Sequence, residues 1–342
     1  MRAMLLDQTG PVTAGSSPLA SRYWPRPQPG PGELLIQVGA CGVCHTELDE
    51  IEGRATPPHL PVIPGHQAVG RVVELGPGTP DFALGDRVGV GWFHSSCGHC
   101  CHCRAGDENL CAEFLATGRD RHGGYAEFLC VPAGSAFRIP PVFTDAEAAP
   151  LLCAGAIGHR SLRLARLVDG QPLGLQGFGA SAHLVLKLAR HLYPQSPLYV
   201  FARDPEERAF ALELGATWSG ATQTPAPEPL AAVIDTTPAW TPVLAALGAL
   251  APGGRLVINA IRKEAGDQSA WLGLDYPSQL WMEKEIKSVA NVARRDIREF
   301  LALAAEIPIR PQVEEYPLAD ANRALVDLKT RRARGAKVLR LD

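Results

Sequence analysis

The sequence predicts an α/β protein in which a β-rich domain is combined with a doubly wound parallel sheet. Three observations carry this reading. The 342 residues, 46% hydrophobic and 20% charged, are long for one core and comfortable for two folded domains. Up to about residue 140, short Val-rich segments are broken by Gly and Pro. From about residue 144, strand patterns and helix patterns alternate, as they do in parallel sheets.

In the first part, "ELLIQVGA", "AVGRVVELG", "GDRVGVGWF" and "GGYAEFLCVP" have strand length and turn residues at their ends. At "TDAEAAPLLC", Thr144 followed by Glu147 forms a capping box, predicting a helix that ends near Cys153. The strand "QPLGLQGFG", the helix "ASAHLVLKLARHL", the strand "PLYVFA" and the helix "PEERAFALELG" come next. "LAAVIDT", a helix through "VLAALGAL" and "GGRLVINAI" continue the alternation. From about residue 288 the texture is mixed, with "SVANVA", a helix in "DIREFLALAAEI" and a closing strand "AKVLRL". The boundaries expected are 1–153, 154–287 and 288–342. No internal repeat is present, and "RPQPGPG" and "TQTPAPEP" read as surface loops.

A formal net charge of -3 gives no surface for a polyanion, so no nucleic-acid partner is expected. "MRAMLLDQTG" lacks the apolar core of a signal peptide, and no apolar run has the length to span a bilayer. The expected setting is the cytoplasm, without membrane contact. In that reducing compartment, dense cysteines favour metal over disulfides, and a total of nine leaves one unpaired in any disulfide framework.

Five of the nine fall in "CGHCCHCRAGDENLC". Cys97, Cys100, Cys103 and Cys111 form C-x2-C-x2-C-x7-C, a spacing that lets a tight loop aim four thiolates at one tetrahedral ion. Such a closed shell leaves no position for water or substrate, so the ion would be structural. Cys101 is left over, because a ligand directly after Cys100 points away from a shared centre. A free-thiol loop or a redox motif is the alternative reading.

A second set is scattered. Cys44 lies beside His45 and Thr46 just past a predicted strand, His66 lies in the Gly-flanked "PGHQAVG", and Cys153 sits at the expected helix end. Each has an ordinary reading alone, Cys153 as a small buried residue and His66 as a loop histidine. Together they supply two thiolates and an imidazole, a set that binds catalytic zinc with a fourth position open.

"CGVCHTEL", "PGHQAVGRVVELG", "GDRVGV", the four-cysteine lobe, "GGYAEF" and the turn "GFGASA" occur in an order and spacing far more specific than any one of them. Over nearly its whole length the chain resembles the zinc-dependent alcohol dehydrogenases of the medium-chain dehydrogenase/reductase superfamily. The resemblance implies a GroES-like catalytic domain interrupted by a Rossmann domain, with the active site in the cleft between them. It implies two zinc ions per chain, one held by Cys44, His66 and Cys153 and one by Cys97, Cys100, Cys103 and Cys111.

Carried over position by position, Thr46 matches the hydroxyl that hydrogen-bonds the alkoxide and passes its proton outward. His45 matches a basic position that contacts the cofactor pyrophosphate. Glu47 matches the carboxylate that orients the imidazole ligand. Two positions depart from the family pattern. Gln67 stands where Glu is usual, and an amide cannot serve as an anionic ligand. Asp49 stands at the outer relay position, often His, with a lower unperturbed pKa.

Gly177, Gly179 and Ala182 form G-x-G-x-x-A between a predicted strand and helix. The first glycine permits the tight turn, the second lets a pyrophosphate approach the backbone, and the alanine allows close helix packing. NAD-selective sites place an acidic residue at the end of the second strand. Here that end is Ala202 and Arg203, while Asp204 before Pro205 reads as a helix N-cap. Arg203 can pair with a 2′-phosphate, so NADP(H) is expected over NAD(H); a solvated surface arginine is the alternative.

The reaction expected is reversible hydride transfer between an alcohol and its aldehyde or ketone, with a nicotinamide cofactor. A zinc hydrolase that activates water would leave the Gly-rich turn without a purpose. A zinc-lobe nucleic-acid-binding protein is opposed by the weak acidity and the complete strand–helix alternation. The partner implied is a small alcohol or aldehyde, and the resemblance suggests a homodimer or homotetramer. Trp92 reads equally as a pocket residue or as core.

Overall fold

The computed structural model of the chain describes residues 1–179, 181–307, 309–330 and 335–341. Contacts divide it into two units, Met1–Cys153 with Val292–Asp342, and Ala154–Asn291. The second is inserted in the chain between the two parts of the first. The return to the first unit comes at Val292 because the strand Glu285–Ser288 pairs with Leu250–Ile258 of the second.

The first unit is organised on the strand Glu33–Val43, whose apolar side chains are buried along almost its whole length. Its first half pairs with Phe128–Pro132, its second half with Ala336–Arg340, and along its other edge lies Ala68–Leu75. Arg87–Val90 and Ala136–Arg138 extend the sheet on one side and Val313–Pro317 on the other. All these ladders are antiparallel except Val313–Pro317 with Ala336–Arg340. Leu34, Ile36, Val38, Val72, Val88, Tyr125 and Leu339 belong to one buried cluster, which gives the unit its own core.

The second unit carries a sheet of six parallel strands in the order Trp218–Gly220, Leu198–Phe201, Leu173–Gln176, Leu230–Asp235, Leu250–Ile258, Glu285–Ser288. Helices Ala156–Ala165 and Thr241–Ala249 pack on its central strands. Leu173–Gln176 and Leu198–Phe201 are buried at every residue, as a sheet covered on both faces requires. This is the doubly wound α/β unit that the alternation predicts. Among the described residues, no helix is long and apolar enough to cross a membrane.

One expectation is corrected. The helix starting at Thr144 does not end near Cys153. Its capping box forms as predicted, with Glu147 N donating to Thr144 Oγ1 and Thr144 N donating to Glu147 Oε2. The regular turns Asp145–Pro150 then widen into a π-helical turn, Leu151–Gly155, and the chain continues helical through Ala156–Ala165. Pro150 lacks an N–H for the α-helical ladder, and the wider turn follows directly.

Candidate functional site

Cys44 is the N-cap of the helix His45–Ile51, placed there by the end of the strand Glu33–Val43. Glu47, at the third helical position, accepts a hydrogen bond from Cys44 N at 2.8 Å with one oxygen. Its other oxygen meets His66 Nδ1 at 2.5 Å. One fully buried carboxylate thus fixes both the turn that carries Cys44 and the ring plane of His66.

The loop carrying His66 needs Gly65. Its φ is +100°, and a Cβ there would come within 2.4 Å of the Tyr125 ring. Trp92 packs edge-on against the imidazole, with centroids 5.0 Å apart at 88°. It is buried and packs against the His66 ring, a position that fits both of its readings.

Cys153 arrives on the π-helical turn. The ligand atoms of Cys44, His66 and Cys153 lie within 4.8 Å of one another. His66 Nε2 is buried and has no hydrogen-bond partner. With the Nδ1 proton directed at Glu47, the Nε2 lone pair is left for a metal ion. The hydrogen bond from Cys153, followed by His66, holds Cys44 well below the usual thiol range despite burial. The same hydrogen bond and then burial push Cys153 up. A divalent ion taken up here would displace the thiol proton. Burial opposes a charge on His66, but Glu47 and Cys44 outweigh it and raise its pKa well above the ordinary value. The same negative surroundings favour a metal cation beside the ring. The donor set fits zinc with one position open.

The helix His45–Ile51 buries Thr46, Glu47, Asp49 and Glu50, whereas His45 is exposed. Thr46 Oγ1 lies 3.7 Å from Cys44 Sγ, within reach of a molecule bound beside that sulfur. Asp49 accepts a hydrogen bond from Arg54 Nε at 2.6 Å. Gln67 is buried near the site, but its amide lies against the sheet. A Cβ added to Gly42 would come within 2.6 Å of Gln67 Oε1.

Two residues here escape sequence reasoning. Arg54 gives no signal, since an exposed-looking arginine after a helix is ordinary. Glu50 sits on a helix whose sequence reads as polar, yet burial and then the Glu47 charge push its carboxyl well above the usual range.

The four-cysteine lobe lies beside the two-stranded pair Phe93–Ser95 and Leu115–Ala116. Its sulfurs are also within 4.8 Å of one another, and Cys97 Sγ and Cys103 Sγ are 3.8 Å apart, well beyond the S–S bond length. Backbone N–H groups of Cys100, Cys103 and Glu113 point at Cys97, Cys100 and Cys111 sulfurs, as thiolate ligands require. Cys101 is exposed and outside the cluster. Arg294 pairs with Glu108 and Arg295 with Asp107, which tie the lobe to the helix Arg294–Glu306.

In the second unit, Gly177 follows Leu173–Gln176 with φ +81°, and a Cβ there would lie 2.9 Å from Thr236 Oγ1. Gly179 has nothing within 4 Å of such a Cβ, so its backbone faces open space. Ala182 is buried at the start of the helix Ala182–Leu192. At the end of Leu198–Phe201, Asp204 caps the next helix by accepting from Glu206 N at 2.9 Å. Arg203 is exposed, and Arg208 donates to the carbonyls of Ala202 and Arg203 at 2.8 Å each. Two cationic side chains therefore stand at this strand end.

Comparison with known proteins agrees with this geometry. A family model described as the alcohol dehydrogenase GroES-like domain matches residues 30–141. The chain is 42% identical over 345 residues to the probable alcohol dehydrogenase AdhA of Mycobacterium tuberculosis, covering 99% of this chain and 97% of that protein. A solved NAD-dependent alcohol dehydrogenase aligns with a TM-score of 0.89 at 25% identity, covering 100% of both chains. A cobalt- and zinc-bound thermostable alcohol dehydrogenase from Pyrobaculum aerophilum aligns with a TM-score of 0.85 at 25% identity, covering 100% of this chain and 99% of that one.

Proposed function

The chain belongs to the zinc-dependent alcohol dehydrogenases of the medium-chain dehydrogenase/reductase superfamily, and from that premise we propose how its own residues divide the work. It interconverts alcohols and carbonyl compounds with a nicotinamide cofactor. Cys44, His66 and Cys153 hold the catalytic zinc, and the observation that carries this is the convergence of the buried His66 Nε2 and two cysteine sulfurs within 4.8 Å of one another. A zinc ion held there would supply Lewis-acid polarisation of the alcohol oxygen, and a bound nicotinamide would supply the hydride acceptor. Glu47 keeps the His66 proton on Nδ1 and fixes the ring. Thr46 takes the proton of the alcohol hydroxyl and passes its own hydroxyl proton outward. His45, exposed at the first helical position, contacts the cofactor phosphates, and the turn Gly177–Gly179 with Ala182 receives the pyrophosphate.

Cys97, Cys100, Cys103 and Cys111 hold a second, structural zinc. The resemblance supports a cytoplasmic setting and a homodimer or homotetramer. A panel of alcohols and aldehydes, run with NAD(H) and NADP(H) and followed by nicotinamide absorbance, tests the reading; no turnover with any pair would contradict it.

Gln67 lies outside the metal shell in this reading. Gln67→Glu is expected to keep the zinc content of the wild type, with altered kinetics at most. Metal analysis of the purified variant checks it, and a crystal structure with the Gln67 amide oxygen on zinc would overturn it.

The cofactor proposed is NADP(H), with Arg203 pairing with the 2′-phosphate. Arg203→Ala is expected to raise the KM for NADP(H) about tenfold, the loss of a charge-assisted hydrogen bond, and to leave that for NAD(H) nearly as it was. A wild-type enzyme with higher kcat/KM for NAD(H) would show that Arg203 serves another purpose.

A further inference from the structure

We propose that Lys263 is a positioning residue for the dinucleotide, clamping the loop that walls the crevice beside the Gly177 turn. This rests on the reading of that turn as the cofactor cradle.

The chain runs from Leu173–Gln176 to Leu198–Phe201 on one side and places Leu230–Asp235 on the other. The strand order reverses there, and such switch points are where doubly wound sheets bind ligands. Gln176 and Asp235 are register partners at the ends of the two strands. Beyond them, Thr236 donates to Gln176 O through both its N–H, at 2.9 Å, and its hydroxyl, at 3.0 Å. A Cβ on Gly177 would meet Thr236 Oγ1 at 2.9 Å and Thr237 Cγ2 at 3.0 Å. The segment after Asp235 thus forms a wall directly against the glycine turn.

That wall has no secondary structure between Asp235 and Thr241. Lys263, which follows the next strand Leu250–Ile258, holds it in place. Its ammonium is nearly buried, pairs with the fully buried Asp235 carboxylate, and donates to Thr237 O at 2.7 Å and Ala239 O at 3.1 Å. Asp235 Oδ1 in turn accepts from Thr237 N at 3.2 Å and Thr237 Oγ1 at 2.7 Å. All three ammonium protons are matched to acceptors. A buried ion pair is seldom better for stability than an apolar pair of similar volume. What the ammonium adds is direction: three bonds that fix an otherwise irregular loop at the crevice.

Lys263→Met and the double variant Lys263→Met with Asp235→Asn test this. NADPH and NADH are each titrated into purified enzyme and followed by quenching of tryptophan fluorescence, alongside Tm, kcat and the two KM values. Lys263→Met is expected to raise the cofactor Kd about tenfold, the cost of a slightly misplaced binding wall, with kcat and the alcohol KM changing by smaller factors. The double variant removes both charges and is expected to recover Tm while its cofactor Kd stays raised. If Lys263→Met does not fold, the double variant carries the test. Wild-type cofactor Kd in either variant, or recovery of Kd together with Tm in the double, would overturn the proposal. A wild-type enzyme that binds neither nucleotide would instead overturn the cradle reading beneath it.

Discussion

Thr46→Val is expected to lower kcat by about a hundredfold or more, the size of a lost proton-transfer group, while zinc content and cofactor affinity stay at wild-type values. Val has nearly the shape of Thr, so the change removes the hydroxyl and little else. Thr46 is buried on the helix His45–Ile51, with its oxygen 3.7 Å from Cys44 Sγ, and no other hydroxyl side chain belongs to that helix. Thr46→Ser keeps the hydroxyl and is expected to retain most of the activity. Steady-state kinetics with metal analysis of both variants decide it. A Val variant as active as wild type would mean the proton leaves by a different path.

Chelation should have the second large effect. A mild chelator is expected to abolish turnover while the protein stays folded, because the Cys44–His66–Cys153 set leaves one position open to a competing ligand. The four-sulfur lobe has no such opening, and the pairs Arg294–Glu108 and Arg295–Asp107 hold its loop from outside. Zinc should therefore leave in two steps, the first tracking activity and the second tracking loss of structure in circular dichroism. One zinc per folded, active chain would contradict the assignment.

Much of this could be read from the sequence because the motifs are local. The Thr144 box, the Asp204 cap and the Gly177 turn are settled by residues within a few positions of each other, and all three form. The proximity of Cys44, His66 and Cys153 came only from the family pattern, since composition and periodicity carry no information across such separations. What could not be read depends on longer-range geometry or on polar edges. The π-helical turn at Leu151–Gly155 follows from Pro150 in a helix that remains packed, where sequence rules read a stop. Trp218–Gly220 and Val313–Pro317 are short, partly exposed strands without apolar alternation. Arg54 and Lys263, which pair with Asp49 and Asp235, have sequence surroundings like those of solvated cations.

The strand Glu33–Val43, which delivers Cys44, takes part of its pairing from Ala336–Arg340, in the later stretch of the first unit. Lys337 on that strand is buried and bonded to Glu314 and Tyr316, so the closing segment is locked in from both sides. Residues 154–291 are contiguous and carry their own sheet, so they can close as soon as they emerge. The first unit is made of two stretches of chain separated by that insert, so its sheet keeps an open edge until the later stretch has been made. The strand that presents Cys44 therefore gains one of its neighbours only after the whole of the second unit has been synthesised.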